Sequence, residues 1–159
     1  MANRIVCIRI ALLVCSVFVL GGCTSFDREW RAAGERPWSE IDGRWQGAWK
    51  SEQDGHTGAL LCVIRQTGTN EYSAFFNATY AGIFHFTYDA KLAGSPLGNL
   101  VHLTGSQDLG WPVGVYRYDG TASPSQFYCA YRSKDDHGSF ALARPGGTPP
   151  GGPLIVGTR

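Results

Sequence analysis

Five tyrosines hold the chemistry most open to interpretation in this chain. Tyr72, Tyr88, Tyr116, Tyr118 and Tyr131 each fall on the apolar side of an alternating segment. A phenol removed from water needs a hydrogen-bond partner, so phenols converging on one interior imply a polar network, ordered water or a ligand with polar groups. Trp111, in Asp108-Leu109-Gly110-Trp111-Pro112-Val113, puts a large ring on an irregular connection, as a lid, a partner contact or a plug folded back over the end of the fold. Cys62 and Cys129 point the same way as the phenols from segments that are not neighbours, and both a disulfide and two small buried thiols fit them. His56 and His137 sit in glycine-flanked turns, and Asp136 precedes His137. The chain lacks H-x-x-x-H, C-x-x-C and a serine in a nucleophile elbow. No catalytic residue, metal or cofactor is therefore assigned, and Asp136-His137-Gly138 reads as a turn fixed by side-chain to backbone bonds.

The elements that must position these residues are strands. From Gly43 to Arg144 apolar and polar residues alternate with period 2, and turn residues interrupt them at regular intervals. Eight strands are expected, near 44–50, 57–66, 71–80, 83–92, 99–107, 114–122, 126–133 and 138–144. Their short polar connections, such as Gln53-Asp54-Gly55 and Ser123-Pro124-Ser125, force antiparallel neighbours. The alternation turns Trp45, Trp49, Leu60, Cys62, Phe76, Phe127 and Phe140 inward, and on the fourth strand Phe84, Phe86, Tyr88, Ala90 and Leu92 together. Eight one-sided strands bury those faces most economically by closing on themselves. The expected fold is all-β, an antiparallel up-and-down eight-stranded barrel, with a sandwich of two sheets as the alternative. Such a barrel is filled by its own side chains or holds one small ligand.

Composition narrows the partners. Among 159 residues, 14 Lys and Arg face 13 Asp and Glu, and the basic residues of the strand region are scattered singly (Arg44, Lys50, Arg65, Lys91, Arg117, Arg132). Nucleic acid is excluded, because polyanion binding needs a clustered basic stripe.

The first residues resemble a bacterial lipoprotein signal. Arg4 and Arg9 form a positive start, Ile10 to Leu20 is an apolar run, and Leu20-Gly21-Gly22-Cys23 is similar to a lipobox. The run is short for a membrane span, which needs about twenty residues. The resemblance implies cleavage after residue 22, lipidation of Cys23 with acyl chains such as palmitate, and attachment to the bacterial cell envelope. Thr24 stands where the inner-membrane retention pattern has Asp, which points to the outer membrane. Cleavage would remove Arg4, Arg9, Cys7 and Cys15. Twelve basic residues would then face 13 acidic ones, and Cys62 and Cys129 would remain in an oxidising compartment. Residues 23–42 then read as a lipidated N-terminus and tether with one helical turn around Asp27 to Ala33, in which Trp30 and Trp38 cap the domain or lie at the lipid surface. Residues 43–145 are the barrel, and the Pro/Gly-rich residues 146–159 are expected to be disordered.

Within the barrel, Gly43-Arg44-Trp45-Gln46-Gly47-Ala48-Trp49 resembles the G-x-W opening of calycin barrels, the lipocalin and avidin-like group, in which a tryptophan plugs the closed end. Together with Gly55-His56-x-Gly58, Tyr116-x-Tyr118-x-Gly120 and Asp136-His137-Gly138, this set is similar to a family of small bacterial envelope proteins of uncharacterised function. The lipidation motif, joined to the inward aromatic and phenolic face, points to a membrane-anchored barrel that binds an apolar or amphipathic small molecule, and the missing catalytic motifs point away from an enzyme. The alternative is a solid-core envelope interaction protein working through an outer patch around Phe75, Tyr128 and Trp111.

Overall fold

The structure, a computed structural model, describes residues 24–156. The expected signal, the lipobox-like segment and Cys23 lie outside the described residues, as do the last three residues of the expected tail. One helix, α1 (Ser25–Glu35), precedes eight strands: β1 (Gly43–Ser51), β2 (Thr57–Gly68), β3 (Glu71–Tyr80), β4 (Phe84–Leu97), β5 (Leu100–Asp108), β6 (Val115–Ala122), β7 (Gln126–Arg132) and β8 (His137–Ala143). Every sequential pair is antiparallel, and β1 also pairs with β8, from Gln46 opposite Ala143 to Ser51 opposite Gly138. That last ladder closes the barrel and disposes of the two-sheet alternative. Glycine is needed at the seam: a Cβ on Gly47 would collide with the Ala141 carbonyl.

The interior follows the alternation. Trp45, Cys62, Ile64, Ala74, Phe76, Phe127 and Leu142 are fully or almost fully buried, with Tyr72, Tyr118, Cys129 and Phe140 close behind. Aromatic contacts run up the axis from Trp45 to Phe127 (ring centres 6.0 Å apart), from Phe127 to Phe140 (5.3 Å), from Phe140 to Phe76 (5.5 Å) and from Phe76 to Tyr88 (5.1 Å). Edge-to-face and offset pairs of this kind add about 1 kcal/mol each to the area they bury.

The end of the barrel carrying the start of β1 is plugged. The Trp45 indole N–H donates to the Ile41 carbonyl at 2.9 Å. Arg144, 5 % exposed, lies over the Trp45 ring at 3.9 Å and over Trp38 at 4.4 Å. Its guanidinium donates to the carbonyls of Pro124 (2.8 Å), Asp42 (2.6 Å) and Glu40 (2.9 Å). Burial lowers the Arg144 pKa to about 10, still far enough above neutrality to keep it a cation.

Three expectations need correction. The segment before the barrel is an eleven-residue helix rather than one turn. Thr24 and Asp27 form a capping box at its start. Phe26, 1 % exposed, packs edge-on against Phe75 of β3 at 5.2 Å, and Glu29 pairs with Arg65 of β2. Trp30 sits under Arg44 and Trp38 over Arg144, so both tryptophans contact the barrel end, with Trp38 still 56 % exposed.

The second correction concerns β4, which runs on through Leu97 and turns at Gly98-Asn99 instead of ending near residue 92. Its first half, Phe84 to Lys91, pairs with β3, whereas β5 pairs only with Leu92 to Leu97. The tip therefore stands proud of the wall, and Phe84 (55 %) and Phe86 (57 %) are exposed instead of inward.

The third correction is the proposed outer patch. Phe75 is covered by α1, Tyr128 lies on β7, and Trp111 lies on the β5–β6 connection, so the three form no common surface. The described part of the tail has no helix or strand, yet Thr148 accepts a hydrogen bond from Gln126. Among the described residues no helix is long and apolar enough to cross a membrane.

Candidate functional site

At the end opposite the plug, β1, β3, β5 and β7 finish and β2, β4, β6 and β8 begin. A cavity of about 150 Å³ opens there, lined by Trp49, Leu60, Ala78, Tyr88, Leu109, Val113, Tyr116, Tyr118, Tyr131, Asp136 and Phe140. Four of the five tyrosines singled out in the sequence meet in it. Tyr72 does not: it lies at the plugged end near Glu40 and Asp42, in a separate hollow of about 480 Å³. Trp111 is 96 % exposed and lines no part of the cavity, although Leu109 and Val113 on either side of it do.

The polar atoms around the cavity are held from several strands. Tyr131 donates its hydroxyl proton to the Lys50 carbonyl at 3.2 Å, and the Trp49 indole N–H donates to the Thr79 carbonyl at 3.0 Å. Asp136 accepts from the Ser51 hydroxyl at 2.8 Å through Oδ1 and from the Tyr116 hydroxyl at 3.2 Å through Oδ2. Its turn is fixed instead by Ser133, whose Oγ accepts from the backbone N–H groups of Asp135 and Asp136. This corrects the expectation that Asp136 serves its own turn; the carboxylate reaches across to β1 and β6. The Tyr118 hydroxyl is buried without a well-formed hydrogen bond, and the Tyr88 phenol stands close enough to offer it a weak one.

Burial pushes all four phenols up from their ordinary value. For Tyr131 the carboxylate of Asp136 adds to the effect, and for Tyr116 those of Asp136 and Asp135 do. These hydroxyls stay protonated at physiological pH and can donate or accept hydrogen bonds.

Cys62 and Cys129 are buried free thiols below this cavity's phenols, so the disulfide left open by the sequence is not formed. Their strands, β2 and β7, are separated by β1 and β8. Burial raises both thiol pKa values and suppresses the reactive thiolate.

His56 is held by Asp54 (2.7 Å) and by the Tyr80 hydroxyl (3.3 Å), and Tyr80 in turn stacks on Trp49 with ring centres 6.1 Å apart. His56 holds the Asp54 carboxyl down at about 2. Among the described residues no hydrogen bond joins His56 to His137, and no three His, Cys, Asp or Glu side chains are grouped to hold a metal.

Arg144 drew no role from the sequence, and Asp136 drew only a place in a turn. Arg144 directly follows β8 and Asp136 directly precedes it, positions where a charged residue reads as solvated. The available signal was weak: a lone Arg directly before Pro145, and a second acid beside Asp135 in a four-residue connection. No protein-family profile, curated protein or solved structure matches this chain.

Proposed function

We propose that this protein is a bacterial envelope lipoprotein, anchored to the membrane through Cys23, whose calycin-like barrel binds a small amphipathic molecule in its open end without catalysing a reaction on it. The observation that carries the binding reading is the cavity of about 150 Å³ ringed by Tyr88, Tyr116, Tyr118 and Tyr131. A cavity of about this size in another protein is large enough to hold benzene, so a single ring or a compact branched head group fits, and a whole lipid does not. The Trp45 plug supports kinship with calycins, since it closes one end and leaves the other as the entrance. The lipobox-like Leu20-Gly21-Gly22-Cys23 supports the anchor, and outer-membrane sorting rests on Thr24.

Two measurements test this. Labelled palmitate should be incorporated on expression in bacterial cells and be lost in Cys23→Ser; unlabelled wild-type protein would overturn the anchor. Native mass spectrometry of the detergent-extracted protein should show a bound small molecule that is lost when Tyr88 and Tyr131 are both changed to Leu; a ligand-free wild type that binds nothing from a library of small amphiphiles would overturn the binding reading.

A second reading, an interaction protein, is favoured by the exposed apolar residues at the open end: Trp111 (96 %), Ile83 (71 %), Phe84 and Phe86. Exposed patches of this kind on a soluble domain mark contact surfaces. Cross-linking to an envelope protein that disappears in a Trp111→Ser, Phe86→Ser double variant would favour it over ligand binding.

A further inference from the structure

The cavity's chemistry specifies a charge as well as a size. Its lining contains no basic side chain and one carboxyl group, that of Asp136. Among the described residues no Lys or Arg forms an ion pair with it; its oxygens accept only from neutral hydroxyls, those of Ser51 and Tyr116. The four connections at this end (52–56, 81–83, 109–114 and 133–136) carry Glu52, Asp54, Asp135 and Asp136 against Lys134 alone. A narrow, low-dielectric opening lined by one sign of charge concentrates the opposite sign.

The remaining walls are aromatic. Trp49, Tyr88, Tyr116 and Tyr131 surround a volume of about 150 Å³, and Tyr116 and Tyr131 lie tilted to one another with centres 5.7 Å apart. Indole and phenol faces attract cations, most strongly where water is excluded. The Tyr118 hydroxyl, buried in the same lining with no well-formed hydrogen bond beyond its approach to the Tyr88 phenol, is a second and independent sign that a polar group belongs inside. Leaving such a group without a partner is costly, and a ligand hydroxyl or N–H would satisfy it.

Other occupants fit less well. An anion would find phenol donors but no cation in the lining, and would face the Asp136 carboxylate. A metal ion would find one carboxylate among rings. A pure hydrocarbon would strip water from Asp136 and give nothing back.

We propose that the cavity takes a small organic ammonium ion bearing a hydroxyl or N–H group, with Asp136 as its counter-charge and the rings of Trp49, Tyr88, Tyr116 and Tyr131 as its walls. This rests on the small-ligand reading above and names the class of ligand.

The test uses the full-length chain in a non-ionic detergent with three probes: choline, its uncharged isostere 3,3-dimethylbutan-1-ol, and tetramethylammonium. Calorimetric or NMR titration should give choline an affinity about tenfold or more above that of the isostere. Asp136→Asn should erase that preference, and Tyr118→Phe should weaken choline while leaving tetramethylammonium, which has no hydroxyl, unchanged. Should Asp136→Asn fail to fold, the wild-type preference and the Tyr118→Phe split decide the matter between them. Equal binding of choline and its isostere would overturn the ammonium assignment and leave the small-ligand reading standing. Saturable binding by none of the probes overturns the assignment; only a failure to bind any small amphiphile removes the small-ligand reading with it.

Discussion

The guanidinium of Arg144 lies 3.9 Å from the centre of the Trp45 ring, at the junction of the first and last strands. Ninety-nine residues of sequence separate the two, and the contact joins the plug, the closure seam and the segment leading in from α1. Because the fork also donates to the carbonyls of Glu40, Asp42 and Pro124, lysine is a poor substitute: it has the charge but neither the planar stacking nor the spread of donors. Arg144→Lys should cost about 2–3 kcal/mol, from lost charge-assisted bonds and orphaned carbonyls. A lower urea midpoint with unchanged slope would be the signature, and an unchanged midpoint would show that the plug does not depend on the fork.

The buried phenols and thiols set the alkaline limit of stability. Tyr88, Tyr118, Tyr131, Cys62 and Cys129 all have folded-state pKa values raised by burial. Each therefore contributes stability that is fully present below its unfolded pKa and is lost as pH rises toward the folded one. Above about pH 9 for the thiols and about pH 10 for the phenols, the unfolded chain binds fewer protons than the folded one, so stability falls with pH. A Tm series should stay level up to about pH 8.5 and then decline, with tyrosinate absorbance from these residues appearing only on unfolding. Smooth titration of all seven tyrosines in the folded protein would contradict their burial.

Two tyrosines of the cavity should respond oppositely to losing an oxygen. Tyr118→Phe removes a buried hydroxyl that makes no well-formed hydrogen bond and should leave stability unchanged or raise it by about 1 kcal/mol. Tyr131→Phe breaks the bond to the Lys50 carbonyl and should cost about 1 kcal/mol. Thermal unfolding of the pair distinguishes them, and a destabilised Tyr118→Phe would reveal a hydrogen bond at that hydroxyl.

The buried ring of Phe26 anchors helix α1, alongside the Glu29–Arg65 pair and Trp30 beneath Arg44. Phe26→Ala removes its contact with Phe75 and should cost about 3 kcal/mol, confined to the helix because the barrel's ladders do not include it. Hydrogen exchange should accelerate across Ser25–Glu35 while β1 to β8 keep their protection. Unfolding of the whole barrel would mean that the helix is part of its cooperative unit.

How far the chain could be read in advance varied with the range of the interaction. Side chains alternate locally, so the inward set of β1, β2, β3, β7 and β8 was legible from apolar spacing, as was the convergence of Tyr88, Tyr116, Tyr118 and Tyr131. The same rule failed at Phe84 and Phe86. Facing says which side of a strand a residue takes, but not whether a neighbouring strand extends far enough to cover it, and β5 pairs with β4 only from Leu92 on. Tyr72 followed the alternation and still ended at the other end of the barrel, because position along a strand fixes depth in a way that facing does not.

The sequence by itself determined that the chain is all-β, where its eight strands lie to within a few residues, and which flank of most of them is oily, since a period of two is written in neighbouring residues. Only the tertiary structure decided that β1 meets β8, that a helix covers Phe75, and that Asp136 reaches Ser51 and Tyr116 across the open end. Those outcomes depend on register and closure between segments far apart in sequence, Gln46 opposite Ala143 and Ser51 bonded to Asp136 among them, and a one-sided alternating pattern is compatible with many registers until the whole barrel packs.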